Sequence, residues 1–113
     1  MLTIDALRAY GANVDEGMAR CMNNEAFYLR LVNMAVNDAG FARLEQAVAA
    51  GNLDEAFEAA HGLKGVLGNL ALTPAYELAS EMTELLRAKA QADYPDYLQK
   101  LLAQRDALLA LAE

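Results

Sequence analysis

The stretch AHGLKGVLGNL, residues 60–70, contains the only histidine of the chain, His61, together with residue types suited to anion chemistry. Lys64 follows three residues later, so on a helix its ammonium group lies within reach of an anion held at the imidazole. Gly65 and Gly68 lie on the same outer face, one and two turns further along. Each glycine costs roughly 1 kcal/mol relative to alanine inside a helix, so helix stability does not explain them. We predict that they clear space for a partner beside the ring.

The chemistry expected of His61 is that of a nucleophile. A solvent-exposed histidine is substantially neutral at physiological pH and offers a free ring nitrogen. Phe57 lies on the shoulder between the outer face and the core, where it adds an apolar contact surface beside the ring. These residues indicate an anionic group that arrives at His61, is stabilised by Lys64 and is delivered by a docking protein.

Other site chemistries fit the sequence less well. A metal site needs three or four convergent ligands, and His61 with the distant Cys21, which we expect to be a small buried apolar residue, is not such a set. Asp54 and Glu58 share the outer face of the helix but are better explained as acids that complement the helix dipole. A serine-based triad would have to use Ser80, the only serine, with no oxyanion donors nearby. We therefore expect no metal and no cofactor in the chain itself.

Composition limits the class of protein. The 113 residues are 56% apolar, rich in leucine and alanine, and carry a net charge of −7. An acidic surface repels phosphate backbones and anionic lipid, which disfavours nucleic-acid and membrane partners. No apolar run approaches the roughly 18 residues of a spanning helix, and the N-terminus lacks the basic start of a signal peptide. One cysteine cannot form an internal disulfide, so a cytoplasmic setting fits.

Capping residues and turn signals predict an all-α fold. We expect one domain over residues 1–113, an antiparallel up-down four-helix bundle with short additional N-terminal helices. The apolar stretch 24–36 must be covered on more than one side, by the short helices or, less readily, by self-association. The expected helices run from Thr3 to Gly11, from Asn13 to about Met22, from Asn24 toward Ala50 with a kink or break at 37–40, from Asn52 to Thr73-Pro74, from there to about Ala92, and from Asp93 nearly to Glu113.

Helical periodicity assigns the remaining side chains to faces. On the helix after His61, Thr83 and Arg87 lie on a polar flank, and either could hydrogen-bond the imidazole or a group bound to it. Glu77, Glu81 and Glu84 lie on the opposite flank. Core positions are expected at Leu53, Ala56, Ala60, Leu63, Leu67, Leu70, Ala75, Leu78, Leu85, Leu86 and the methionines Met18, Met22, Met34 and Met82.

The segment around His61 resembles the signature of histidine phosphotransfer (HPt) domains, approximately A-H-x-L-K-G-x-x-x-x-L/I-G. Here it reads Ala60-His61-Gly62-Leu63-Lys64-Gly65, then Gly68-Asn69-Leu70. The stretches NVDEGMARCMNNEAFYLRLV and GNLDEA before it and LASEMTELLRA after it are also similar to that family, so the resemblance covers most of the chain.

The resemblance implies phosphorelay signalling without autonomous kinase activity. His61 would accept a phosphoryl group on Nε2 from the aspartyl phosphate of a receiver domain and pass it to the aspartate of a response regulator. Lys64 would neutralise the phosphoryl oxygens, and Phe57, Gly65 and Gly68 would dock the partner. The expected partners of this monomer are response-regulator receiver domains and a hybrid sensor histidine kinase, with Mg²⁺ on the receiver.

Two positions depart from the family pattern. Ala71 stands where the signature usually has glycine, which leaves the shape of the loop below the histidine open. Some members also hold the imidazole with a glutamine on the next helix, and none occurs between residues 72 and 90. Thr83 or Arg87 would have to replace that glutamine, or nothing does.

Three other functions stay open at this point. The chain could be the phosphoacceptor domain of a chemotaxis-type kinase, a helical interaction module that is never phosphorylated, or a hydrolase with His61 as general base. The first would be charged by an ATP-binding domain, and the last requires a concave pocket. Met1 and a chain that ends with its last helix suggest a free-standing protein, although an excised domain would have the same ends.

Overall fold

The computed structural model describes all 113 residues, and its secondary structure is helical with no strand. This confirms the all-α prediction. The seven helices are α1 (Ile4–Tyr10), α2 (Val14–Arg20), α3 (Glu25–Val36), α4 (Gly40–Ala49), α5 (Leu53–Asn69), α6 (Thr73–Arg87) and α7 (Tyr94–Ala112).

Helices α4 to α7 form the four-helix bundle. α5 packs between α4 and α6, and α7 closes the ring by contacting both α6 and α4, so α5 and α7 lie diagonally opposite. The short connections at residues 50–52, 70–72 and 88–93 make successive helices antiparallel. The up-down bundle predicted from the sequence is confirmed.

The three N-terminal helices pack on one side of this bundle. α3 lies against α7 and α2, and α1 contacts α2 and α7. One contiguous hydrophobic core joins buried residues from Leu2 to Leu108, and α3 contributes Tyr28, Val32, Ala35 and Val36 to it. The short helices therefore cover α3 as expected, but they leave one side of it open, where Met34 is 62% exposed.

Side-chain caps begin five of the seven helices at the positions predicted from the sequence. Each capping side chain accepts a hydrogen bond from the backbone N–H three residues further on, which satisfies a free donor of the first turn. α6 begins differently, with Pro74 in its first turn and the Thr73 hydroxyl donating to the carbonyl oxygen of Ala71 at 3.3 Å. The capping residues are Thr3, Asn13, Asn24, Asn52 and Asp93.

The interruption expected at residues 37–40 is a complete break between α3 and α4. The Asp38 carboxylate accepts a hydrogen bond from the backbone N–H of Gly40 at 2.7 Å, which closes a tight turn. A Cβ at Gly40 would lie 2.9 Å from that carboxylate oxygen and 3.0 Å from Leu63. A Cβ here would displace the Asp38 carboxylate and crowd Leu63, so glycine lets α4 start in close contact with α5.

The end of α6 and two methionines differ from the sequence prediction. α6 ends at Arg87 rather than near Ala92, because Lys89 adopts a left-handed conformation with φ of 50°. Met22 is 85% exposed and Met34 62% exposed, so their predicted core positions are wrong, whereas Met82 is buried as expected. Met22 lies in a left-handed turn after α2, with φ of 56°, and is not on a helix face at all.

A buried hydrogen bond joins α3 to the loop below α5. The Tyr28 hydroxyl donates to the carbonyl oxygen of Leu70 at 2.8 Å, and burial raises the pKa of Tyr28 to about 12, so it remains a donor. Gly17 on α2 packs directly on this pair. A Cβ at Gly17 would lie 2.6 Å from the Tyr28 ring and 2.8 Å from the Leu70 oxygen.

Gly17→Ala should therefore destabilise the protein. The added methyl group must displace a buried ring or a backbone carbonyl, and overpacking of this kind costs about 1–3 kcal/mol. Urea denaturation measures the free energy of unfolding, with Gly62→Ala as the matched control, because nothing lies within 4 Å of a Cβ at Gly62. Gly62→Ala should raise the free energy of unfolding by about 0.5–1 kcal/mol, because alanine has a higher helix propensity than glycine. A Gly17→Ala protein as stable as the wild type would contradict this packing.

Candidate functional site

His61 is presented to solvent by the middle of α5. The helix buries Ala56, Ala60, Leu63 and Leu67 against the bundle, in agreement with the predicted core face, and the imidazole is exposed on the other side. Because one face of this seventeen-residue helix packs into the core, the backbone that carries His61 is held in place. The position predicted for His61 is the one observed.

Phe57 orients the imidazole. Its ring stacks on His61 with centroids 5.6 Å apart and an interplanar angle of 7°. The Arg87 guanidinium packs over the same phenyl ring, with its Cζ 5.1 Å from the centroid. Aromatic pairs of this kind contribute about 0.5–1.5 kcal/mol, enough to favour one ring orientation without fixing it. Arg87 therefore packs on Phe57 and donates its hydrogen bond to Glu84 rather than to the imidazole.

Lys64 and Arg87 share one carboxylate, that of Glu84. Lys64, whose side chain is only 27% exposed, places Nζ 3.7 Å from Oε1 of Glu84. The Nε of Arg87 lies 3.3 Å from Oε2 of the same residue. Sequence reasoning placed Glu84 on the flank away from His61 and missed this contact. The signal that could have found it is the spacing of three residues between Glu84 and Arg87.

The glycines of α5 differ in what surrounds them. A Cβ added at Gly62 or Gly65 would meet nothing within 4 Å, so both positions are open. At Gly68 it would lie 2.9 Å from the ring of Tyr76, and the Gly68 carbonyl accepts a hydrogen bond from Arg20. Gly68 therefore allows close packing of α6 on α5, and its docking role stays a prediction. Gly62 extends the open face.

Thr83 does not support the imidazole, contrary to the prediction. It is completely buried, and its hydroxyl donates to the carbonyl oxygen of Ala79 one turn earlier, at 2.6 Å. α6 is rotated so that Thr83 points into the core with Met82 and Leu86. Burial requires a hydrogen-bond partner for the hydroxyl, and the backbone of its own helix supplies it.

Residues 37–112 match the family model of the Hpt domain, which is more than half of the chain. The chain belongs to the Hpt domain family. The match covers the α4–α7 bundle, including His61 and Lys64, and the resemblance of the motif is confirmed. No curated protein and no solved structure matches the chain.

Family membership defines the general function. Hpt domains are phosphotransfer modules rather than kinases, and they interact with receiver domains and kinases in two-component phosphorelays. This Hpt domain accordingly serves histidine phosphotransfer in signal transduction. None of its helices combines the length and apolar character needed to cross a lipid bilayer.

The loop after α5 contains Ala71 at the position where the Hpt signature usually has glycine. Ala71 has a φ of 55°, a left-handed conformation that costs a residue with a side chain roughly 1–2 kcal/mol. Its carbonyl oxygen accepts a hydrogen bond from the backbone N–H of Asn13 at 2.9 Å, which ties the loop to the start of α2. Ala71 therefore carries backbone strain at a position where glycine would carry almost none.

An apolar surface continues from the open glycines of α5 toward α3. Leu31 and Met34 of α3 line a shallow depression together with Val66 of α5 and the buried Leu70. His61 itself is exposed on α5. An uncovered histidine beside an apolar surface suits a docking partner better than the enclosed substrate of a hydrolase.

Proposed function

We propose that this Hpt domain is a phosphorelay intermediate with His61 as its phosphoacceptor. Nε2 attacks the phosphorus of a receiver aspartyl phosphate, the P–O bond to the aspartate breaks, and an N–P bond forms as the carboxylate is released. Transfer to the aspartate of a response regulator is the reverse reaction. The observation that supports this most is the exposed imidazole with Lys64 one turn away and free space over Gly62 and Gly65.

Positioning and charge compensation are the contributions of the chain itself. Phosphoryl transfer proceeds through a loose transition state, and little covalent chemistry is left for a protein that only presents the acceptor. Phe57 orients the imidazole by stacking. Lys64, one turn from His61, and Arg87, packed on Phe57, supply positive charge to this part of the surface, and positive charge near the reacting group stabilises the transition state.

The proposed docking surface consists of Gly62, Gly65 and Val66 of α5 with Leu31 and Met34 of α3. A receiver domain that covers it would exclude water from His61 and bring its own acidic pocket and Mg²⁺. We propose that the domain acts as a cytoplasmic monomer with a hybrid sensor kinase upstream and a response regulator downstream. The half-buried to exposed apolar side chains of this surface favour a transient protein contact.

Lys64→Ala should slow phosphotransfer from a phosphorylated receiver to His61 by about tenfold, because each 1.4 kcal/mol of lost transition-state stabilisation is a factor of ten. Rapid-quench kinetics measure the rate. Lys100→Ala is the matched control, since Lys100 also holds an ion pair, with Asp96 at 3.0 Å, but lies on the diagonally opposite α7. Equal rates for the two variants would contradict the role of Lys64.

Two rival functions predict other results in the same assay. A phosphoacceptor domain of a chemotaxis-type kinase would be labelled by an ATP-binding kinase domain and not by receivers. A helical interaction module would bind its partner equally well with and without His61. Labelling of His61 by a receiver argues against both.

A further inference from the structure

The carboxylate of Glu84 lies between the two cations of the site. Its Oε1 is 3.7 Å from Lys64 and its Oε2 is 3.3 Å from Arg87. Each cation in turn belongs to the surroundings of His61. Lys64 follows the histidine by one turn of α5, and Arg87 packs over the phenyl ring of Phe57 on which the imidazole stacks.

The stability gained from a carboxylate at this position is small. Glu84 lies in the last turn of α6, where the helix dipole disfavours negative charge. Its side chain is 57% exposed, and ion pairs at exposed sites contribute little to the free energy of unfolding. Glu81, one turn earlier on the same flank, is exposed and forms no ion pair, so pairing is not a general property of this flank.

A phosphoryl group on His61 would compete with Glu84 for Lys64, the cation one turn from the histidine. Phosphorylation adds nearly two negative charges and three strong acceptor oxygens, whereas a carboxylate carries one charge and two oxygens. Lys64 can turn from Glu84 to the phosphoryl oxygens because its ammonium group ends a flexible four-carbon stem. The carboxylate left behind would then repel the new anion.

We propose that Glu84 is a positioning residue that holds Lys64 and Arg87 in the unphosphorylated domain and opposes phosphorylation of His61. The inference rests on the proposed phosphoacceptor function of His61. Glu84 lowers the affinity of the site for the phosphoryl group, so that the group moves on to the next aspartate rather than remaining on the histidine. The covalent step is unchanged: one P–O bond breaks and one N–P bond forms.

The test compares Glu84→Gln with Glu81→Gln. Both changes remove one negative charge from the same flank of α6 at nearly constant size, but only the first frees Lys64 and Arg87. Each protein is equilibrated with a phosphorylated receiver, and the phosphoryl group on each partner is quantified. Glu84→Gln should shift the equilibrium toward His61 by about threefold to tenfold, the effect of one partly screened charge, and Glu81→Gln by less than about twofold. The difference should shrink in 1 M salt.

A second measurement needs no phosphohistidine. Inorganic phosphate is titrated into each unphosphorylated protein while the amide NMR signals of Gly62, Lys64 and Gly65 are followed. Glu84→Gln should lower the apparent Kd by about threefold to tenfold relative to the wild type and Glu81→Gln. Unchanged affinity and unchanged equilibrium in Glu84→Gln would overturn the role of Glu84 even if the wild type is phosphorylated. No labelling of the wild type would refute the proposed function instead, and the phosphate titration would then decide on Glu84 by itself.

Discussion

His61→Gln will abolish phosphorylation of this Hpt domain and leave its fold intact. The imidazole is the only one in the chain, and Nε2 has no substitute in a glutamine amide. Since the ring is exposed, the substitution removes only its stacking on Phe57, a loss of less than about 1.5 kcal/mol of stability. Intact-protein mass spectrometry after incubation with a phosphorylated receiver measures the label, and thermal unfolding measures the fold.

The control for this prediction uses phosphoramidate, a small phosphodonor that needs no docking surface. It should label the wild type and leave His61→Gln unlabelled. A variant that still carries label would place the phosphoacceptor elsewhere in the chain. A variant that unfolds would contradict the exposed position of His61.

Gly65→Leu will block transfer from receivers while the histidine remains reactive. A leucine at this position projects from the open face of α5, one turn beyond His61, into space that a docked receiver would occupy. We expect transfer to slow by about 100-fold, which corresponds to a loss of about 2.7 kcal/mol in docking free energy. The helix itself should gain stability, because leucine is a better helix former than glycine by almost 1 kcal/mol.

Two comparisons separate docking from chemistry in this variant. Ala103→Leu places the same side chain at an exposed position of α7, on the diagonally opposite helix, and should transfer at the wild-type rate. Phosphoramidate should label Gly65→Leu about as fast as the wild type, because a small donor fits beside the added side chain. Slow labelling by both donors would mean that the leucine disturbs His61 itself, and the docking interpretation would be wrong.

Much of the fold was predictable because its signals are local. Each cap at Asn13, Asn24 and Asn52 depends on a side chain that reaches a backbone N–H three residues away, a contact visible in the spacing alone. The face that exposes His61 follows from the leucines and alanines around it. Such signals need no knowledge of what the helix packs against.

The features that the sequence did not predict depend on the rotation of a helix or on the conformation of a turn. Thr83 and Arg87 lie on one polar flank in projection, yet a modest rotation of α6 buries the first and leaves the second exposed. Gly68 and Gly65 also share a face, but only the neighbouring helix shows that Tyr76 fills the space over Gly68. Met22 follows α2 in a left-handed turn that no glycine marks. These features depend on tertiary contacts, which periodicity does not contain.

The most direct test of the account is transfer from a phosphorylated receiver domain to the wild-type protein. The phosphoryl group lost by the receiver should appear on this Hpt domain as an acid-labile, base-stable label, and ³¹P–¹⁵N NMR should assign it to Nε2 of His61. The proposed phosphorelay role is contradicted if several phosphorylated receivers leave the domain unlabelled. That holds whether a chemotaxis-type kinase labels it or every donor fails.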